Sequence, residues 1–380
     1  MQVVQKQLSG CSQLTAAKKK AEVFSEVEAA KYDFGVAVDR MVTSFASPAI
    51  RPAKGLPRGI DARRFRAGRI HMLYEAAMRT QGRPLCLAAA ERLLKLEKDS
   101  TVLFLTGVLH PVFFPKGETD GPPGVVGLAR ALNLGLGLRP VILSEAATSD
   151  IMRQASASMG LSGRWDRKMG PRPRSADVMS FPVTDVATTQ KEVKKLLDKL
   201  NPSAVVAIER KGRNTKGEYH SVLGTPRGAF EAKLDYVTEE ANNRGILTIG
   251  IGDNGNEIGF GNIIDDVKKI QMFGELCQCP CKGGIATVVK TDLLIPASTS
   301  NWGAYGIEAC VAFLLGRGSL MHDSEVEKRV LEGIANLGCG DGATIETTPT
   351  CDGTGKASLY LVDFLKSLVD QNLETKTREF

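Results

Sequence analysis

The sequence predicts an α/β protein: a mostly parallel sheet with helices on both faces. Three observations lead there. Short apolar runs alternate with longer segments whose apolar residues recur at three and four spacing, over roughly 270 residues. Several of the short runs are apolar at every position, which suits strands covered on both faces. Four of them run directly into polar clusters, and in a parallel sheet such strand ends share one edge. The layering expected is Rossmann-like, with the site at the carboxyl ends of the strands.

Taken in order, residues 1–60 read as an accessory arm or helix and 61–380 as the α/β domain. Lys18 to Lys31 has the pattern of a polar amphipathic helix. Ser47 to Pro57 is an extended connector, and Arg58 to Arg69 is an arginine-rich arm. Ile70 to Met78 and Leu85 to Leu96 read as helices. Val102 to Leu105 is the first strand, followed by a polar loop and a helix over Val125 to Leu138. Pro140 to Leu143 (strand) and Ser149 to Met159 (helix) follow. Gly163 to Ser175 reads as a basic loop, and Met179 to Val183 as a short strand. Thr188 to Leu200 is a helix stopped by Asn201-Pro202. Ala204 to Ile208 is a buried strand, Gly228 to Arg244 a helix and Ile246 to Ile251 a strand. Strands at Ile285 to Val289 and Leu293 to Pro296 precede helices over Ala304 to Leu315, Ser324 to Leu337 and Lys356 to Leu368.

Composition narrows the function classes. The chain of 380 residues is 43% hydrophobic and 24% charged, as ordinary globular proteins are. The net charge of +6 is scattered among acids and aromatics are only 6%, which argues against nucleic acid as a partner. A small anionic substrate suits the same charge. No secretory signal and no apolar run of membrane-spanning length is present, so no membrane partner is expected. Eight cysteines, several in apolar helical runs, suit a reducing intracellular compartment. The first 21 residues carry Lys6, Lys18, Lys19 and Lys20 and no acid. That leaves the mitochondrial matrix as the alternative to the cytoplasm. Homo-oligomerisation is left open.

Chemistry concentrates in the four clusters. The first is the stretch Thr106 to Gly127, TGVLHPVFFPKGETDGPPGVVG, which holds Glu118, Thr119 and Asp120. Two acids beside one turn exceed what capping a helix needs. The free N–H groups of the helix beginning near Gly121 favour an anion. The second is Glu209-Arg210 after a buried strand, a carboxylate beside a guanidinium. The third, GDNGNEIG, contributes Asp253, Asn254, Asn256 and Glu257; the fourth is Ser300-Asn301. None of these has the glycine spacing of a dinucleotide site or the Gly-Lys-Ser/Thr ending of a P-loop, so no nucleotide cofactor is expected. Cys277, Cys279 and Cys281 alternate, unlike the usual zinc-knuckle pair, and no histidine lies near them in sequence. They read as three unpaired thiols. His110 reads as a structural or surface histidine.

In order, LTG…ETDGPPG, IER-G, GIGDNGNEIG and SNWGAYG resemble the D-glutamate cyclase family, specifically the domain at the C-terminal end of its longer members. The resemblance covers about residues 60 to 370. It implies a further upstream domain in longer members, which this sequence is expected to lack. The reaction implied is intramolecular dehydration of D-glutamate to 5-oxo-D-proline, a carbon–oxygen lyase activity. Glu118, Asp120, Glu209, Asp253 and Glu257 then become acid/base candidates. Thr106, Gly107, Thr119, Gly121, Gly124, Arg210, Asn254, Asn256, Ser300 and Asn301 become substrate-binding candidates. The helix start at Gly121 to Gly124 would hold one substrate carboxylate and Arg210 the other. Mutual repulsion among so many acids leads to an expected Mg²⁺ or Mn²⁺ on Glu118, Asp120 and Asp253. Two alternatives accompany this reading: a related hydrolase or lyase on amino or oxo acids, and a non-catalytic or partner-dependent carboxylate binder.

Overall fold

A computed structural model describes residues 25–45, 69–161 and 173–374. Within them, six parallel strands form one sheet. They are β1 (Thr101–Leu105), β2 (Arg139–Ser144), β3 (Asp177–Ser180), β4 (Pro202–Ile208), β5 (Leu247–Gly252) and β6 (Leu293–Pro296). Their spatial order is β3-β2-β1-β4-β5-β6. This order reverses direction between β1 and β4, which lie side by side with Phe104 level with Val206. Loops leaving the carboxyl ends of such neighbours diverge to opposite sides, and the crevice between them is where doubly wound sheets bind ligands.

Strand alternation divides the core in two. Val102, Phe104, Ile142, Val206 and Ile249 face one layer of apolar side chains. Leu103, Leu105, Val141, Leu143, Val205 and Ala207 face the other. The first layer takes helices α1 (Glu26–Val42), α2 (Arg69–Gln81), α3 (Leu85–Leu93), α4 (Pro122–Leu136) and α5 (Ser149–Ser158). The second takes α6 (Val186–Leu200), through Val193, Leu197 and Leu200, and α7 (Asp235–Asn243), through Val237 and Ala241. Past α8 (Ile264–Ile270), the first layer is completed by α9 (Ser300–Leu314), α10 (Ser324–Ala335) and α11 (Ala357–Leu373).

Most expected elements are present within a few residues. Two readings are corrected, the helix start at Gly228 and the strand at Ile285 to Val289. Of the helix expected over Lys18 to Lys31, the part before residue 25 lies outside the described residues; the rest belongs to Glu26–Val42, which runs on past it and packs on the core through Phe34, Val38 and Val42. Its buried Asp39 accepts the Leu85 and Cys86 amides at 2.6 and 3.0 Å, fastening α1 to the start of α3. That start is capped by Pro84, which offers no side-chain acceptor. The helix expected from Gly228 begins only at Asp235, because Glu231 and Ala232 are drawn into polar contacts with Leu109 and Glu145. Ile285 to Val289 is not a strand; the Val289 carbonyl binds the Gly259 and Gly261 amides of the loop after β5. The Ser47–Pro57 connector and the Arg58–Arg66 part of the arginine-rich arm lie outside the described residues, as does most of the Gly163–Ser175 loop.

Candidate active site

Two helix N-termini meet at the switch point and cap each other. Asp120, ahead of α4, accepts the Ser300 and Asn301 amides of α9, each at 2.8 Å. Asn301 returns the contact: its Oδ1 accepts the Gly121 and Gly124 amides of α4 at 2.9 and 2.8 Å. Its Nδ2 donates to the Thr119 carbonyl at 2.9 Å. The sequence supports the approach locally. A Cβ at Gly124 would stand 2.9 Å from the Asn301 Cα, so only glycine lets the two helices come this close. This clasp overturns the expectation that the α4 amides hold a substrate carboxylate, since Asn301 already occupies the Gly121 and Gly124 donors.

Carboxylates converge around the clasp. Asp120, Glu209 and Asp253 bring ligand atoms within 4.8 Å of one another, and so do Asp120, Cys351 and Asp352. Glu209 directly follows β4 and accepts the Ser300 hydroxyl at 2.6 Å. Its backbone is left-handed, φ 46°, as is that of Asp352, φ 47°. Such backbones are uncommon for residues with a side chain and cluster at functional sites. Glu257 turns one oxygen to the Asn254 and Gly255 amides at 3.3 and 2.8 Å, and its other oxygen is buried without a partner. Asn254 donates to Asp253 at 2.5 Å. Glu118 is buried, and among the described residues its carboxylate accepts no hydrogen bond. The hydroxyls of Thr106 and Thr119 are likewise buried without partners.

Burial and crowding hold protons in this pocket. Desolvation, then the Glu209 charge, raises Asp120 to about 7 and Glu257 to about 8. The same two causes push Glu118 and Asp253 well above the usual carboxylate range. Asp352 is raised too, by burial and then by Asp120 and Glu118. Like charges this close cannot all ionise, so carboxylic acid and carboxylate coexist near neutral pH.

Two buried cations accompany these acids. Lys211, directly after Arg210, pairs with buried Glu231 at 3.2 Å. Arg227 is buried, its Nε has no partner, and no ion pair engages it among the described residues. Burial lowers its affinity for the proton, opposed by the charges of Glu231 and then Glu118, so both acids lie within its electrostatic reach. Nothing in the sequence marked Arg227, which sits in an irregular loop. Lys211 stood next to a residue that was singled out and was passed over.

Arg210 is corrected. Its Nη1 donates to the Thr106 and Gly107 carbonyls at 3.2 and 2.7 Å and to Glu145 at 3.0 Å. Its Nη2 donates to Glu145 at 2.5 Å and to the Ala232 carbonyl. The guanidinium is 1% exposed and saturated, so it braces the loop after β1 rather than clamping substrate. Asn256 is turned away as well, donating to the His220 carbonyl at 2.8 Å. His110 is structural in the way expected: its Nδ1 accepts the Val112 and Phe113 amides at 3.2 and 3.1 Å. Thr106 and Gly107 contribute carbonyls to the Arg210 brace.

The residues suit a hard divalent cation, with one change of ligand set. Carboxylate oxygens are the right donors for Mg²⁺ or Mn²⁺. The clustered trio is Asp120, Glu209 and Asp253, so Glu209 stands where Glu118 was expected. Asp352 and Cys351, from the loop before α11, were missed because no strand leads into them. The three cysteines are free thiols, as read, but a histidine distant in sequence reaches them in space: His220, 59 residues before Cys279.

Residues 75–368 match the family model described as D-glutamate cyclase-like, C-terminal. Among curated proteins the chain is similar to D-glutamate cyclase, mitochondrial, of Homo sapiens, with 27% identity over 228 residues. That match covers 58% of this chain and 34% of the human protein, so the chain spans about a third of the relative's length.

Proposed function

The chain belongs to the D-glutamate cyclase-like, C-terminal family, and from that premise we propose that it closes D-glutamate to 5-oxo-D-proline with loss of water. The observation that carries this is the cluster of proton-sharing carboxyls at the switch point, with the buried guanidinium of Arg227, unpaired among the described residues, within electrostatic reach of Glu118. The substrate needs both. Its amine arrives as ammonium and must lose protons, and its γ-carboxylate must be neutralised before nitrogen attacks it.

Arg227, with Lys211 behind it, holds the substrate α-carboxylate. Glu118 has no hydrogen bond to hold it and is the group free to accept the ammonium proton. A second carboxyl, kept protonated by burial, gives its proton to a γ-oxygen; Glu257, at about 8, is the best placed in acidity. Nitrogen attacks the γ-carbon, one C–O bond breaks, and the two protons lost by nitrogen leave with that oxygen as water. Both carboxyls return to their starting states. Asp120 fixes the pocket through its bonds to α9, and Ser300 orients Glu209. A divalent cation on Asp120, Glu209 and Asp253 would supply Lewis-acid neutralisation of the γ-carboxylate. Ring closure is intramolecular, so proximity largely comes with the substrate.

A second reading is that this module binds the substrate and turnover needs a partner. Proton NMR of the purified chain with D-glutamate, with and without Mn²⁺, separates the two. Signals of 5-oxoproline growing with the D-isomer and not the L-isomer support the cyclase. Saturable binding without product in every condition supports the partner-dependent binder. The compartment belongs to the same proposal: the name of the human relative carries "mitochondrial", and imaging of a C-terminally tagged chain checks it.

A further inference from the structure

The loop that carries Arg227 into the site has little regular structure. From Glu209 to Leu234 the chain forms turns and isolated bridges, with no helix or ladder. The segment between α8 and β6 is similar. Hydrogen bonds join the two, Gln278 to the Gly224 carbonyl and Val288 to the Arg213 carbonyl among them, and so does one cluster of ligand atoms. His220 Nε2 lies 3.1 Å from Cys279 Sγ and 3.5 Å from Cys281 Sγ. Cys277 Sγ lies 3.5 Å from Cys279 Sγ and 3.4 Å from Cys281 Sγ. All four ligand atoms fall within 4.8 Å of one another.

Those spacings are too long for a disulfide, which brings sulfurs to about 2 Å. They match the edges of a tetrahedron. Zinc–sulfur bonds of about 2.3 Å set sulfurs about 3.8 Å apart at the tetrahedral angle, and zinc–nitrogen bonds near 2 Å bring the imidazole slightly closer. Three thiols packed at these distances around an imidazole would gain little as hydrogen bonds, since S–H is a weak donor. The surroundings suit thiolates. Cys281 Sγ receives the Gly283 amide at 3.4 Å and Asn214 Nδ2 at 3.6 Å. The turn that supplies the amide depends on Gly284, φ 72°, where a Cβ would stand 2.2 Å from the Gly274 carbonyl. His220, Cys277 and Cys279 are buried, and four protein ligands leave no open position.

We propose that His220, Cys277, Cys279 and Cys281 form a closed, structural Zn²⁺ site that fixes the Arg227 loop against the acid-rich pocket. The link to that pocket is direct, because the His220 carbonyl accepts the Asn256 side chain of the loop holding Asp253 and Glu257. The metal stands in for the regular structure that the loop lacks, as structural zinc does in small domains. The site is independent of the cyclase reading, and its test does not use turnover.

The experiment measures metal in the full chain purified under reducing conditions from zinc-supplemented cells. Roughly one zinc per chain is expected, retained in Cys310→Ala and lost in Cys277→Ser. Cobalt(II) in place of zinc should give the thiolate charge-transfer and d–d bands of a tetrahedral sulfur-rich site. Where Cys277→Ser does not fold, the wild-type chain still decides: a mercurial that blocks thiols should release one equivalent of zinc and lower the melting midpoint, and once excess thiol has removed the mercurial, zinc and not Mg²⁺ should restore it. Folded wild-type chain with no zinc and no cobalt spectrum, or with iron in its place, overturns the proposal.

Discussion

At the scale of the residue, two buried arginines ahead of Glu231, Arg210 and Arg227, do different work. Arg210 is saturated by Glu145 and three carbonyls, while Arg227 has a buried Nε with nothing to bind. Removing Arg210 strands a buried Glu145 carboxylate, and such losses cost about 3–5 kcal/mol. Arg210→Met should therefore lower stability by that order in denaturant unfolding. Arg227→Met should leave stability within about 1 kcal/mol, since no ion pair is broken, and should weaken D-glutamate binding measured by calorimetry. Glu118→Gln removes the free proton acceptor; general acid–base help is worth about 10²–10⁴-fold, and turnover should drop by that factor. The acids were legible in the sequence because each lies in the polar stretch that follows an apolar strand. Arg227, Asp352 and His220 were not, because their roles come from contacts across irregular loops. The choice between Arg210 and Arg227 also turned on distance in sequence, since Arg210 is claimed by a glutamate 65 residues away.

At the scale of the element, α9 organises the acid pocket. Its first residues cap α4, receive Asp120 and orient Glu209, and its interior buries a charged network. There Glu308 meets the His322 Nδ1 at 2.8 Å, Glu327 lies 3.5 Å from Nε2, and Tyr305 donates to Glu327 at 2.7 Å. Burial alone would lower the His322 pKa, but Glu308 and then Glu327 outweigh it and raise it to about 10. A histidine raised from about 6.5 contributes stability that is complete below the unfolded value and is lost as pH rises through the folded one. Wild type minus His322→Leu should thus show a stability difference that shrinks between pH 7 and 10. Asn301→Ala loses the cap on two α4 amides, worth about 0.5–2 kcal/mol, and a larger loss of activity is expected because Asp120 moves with it. The helices and strands that pack by periodicity could be read in advance. The turn region 228–234, read as helix, could not, since Glu231 and Ala232 are held there by tertiary hydrogen bonds.

At the scale of the whole molecule, the strand order makes the site. The reversal at β1 and β4 brings Glu118, Asp120 and Glu209 together, and β5 with α9 closes the ring. The sequence predicted a parallel sheet with converging loops; it gave no means to predict which strands are neighbours, and so could not rank the clusters. Concentrating acids there has a cost that varies with pH. Asp120 and Glu257 are raised to about 7 and 8, so the folded state binds protons that the unfolded chain has released. In chelator, stability should fall as pH rises from about 5 to 8. Mg²⁺ or Mn²⁺ should raise the melting midpoint more at pH 8 than at pH 5, because the cation replaces those protons. Among the described residues no helix is long and apolar enough to cross a membrane.

The most direct test of the central claim is a kcat and KM comparison for D-glutamate closure, followed by NMR, in wild type, Glu118→Gln and Arg227→Lys. The account predicts that Glu118→Gln lowers kcat by about 10²-fold or more with KM little changed, and that Arg227→Lys chiefly raises KM. Wild-type turnover that both substitutions leave intact would contradict it and move the chemistry away from the switch-point pocket.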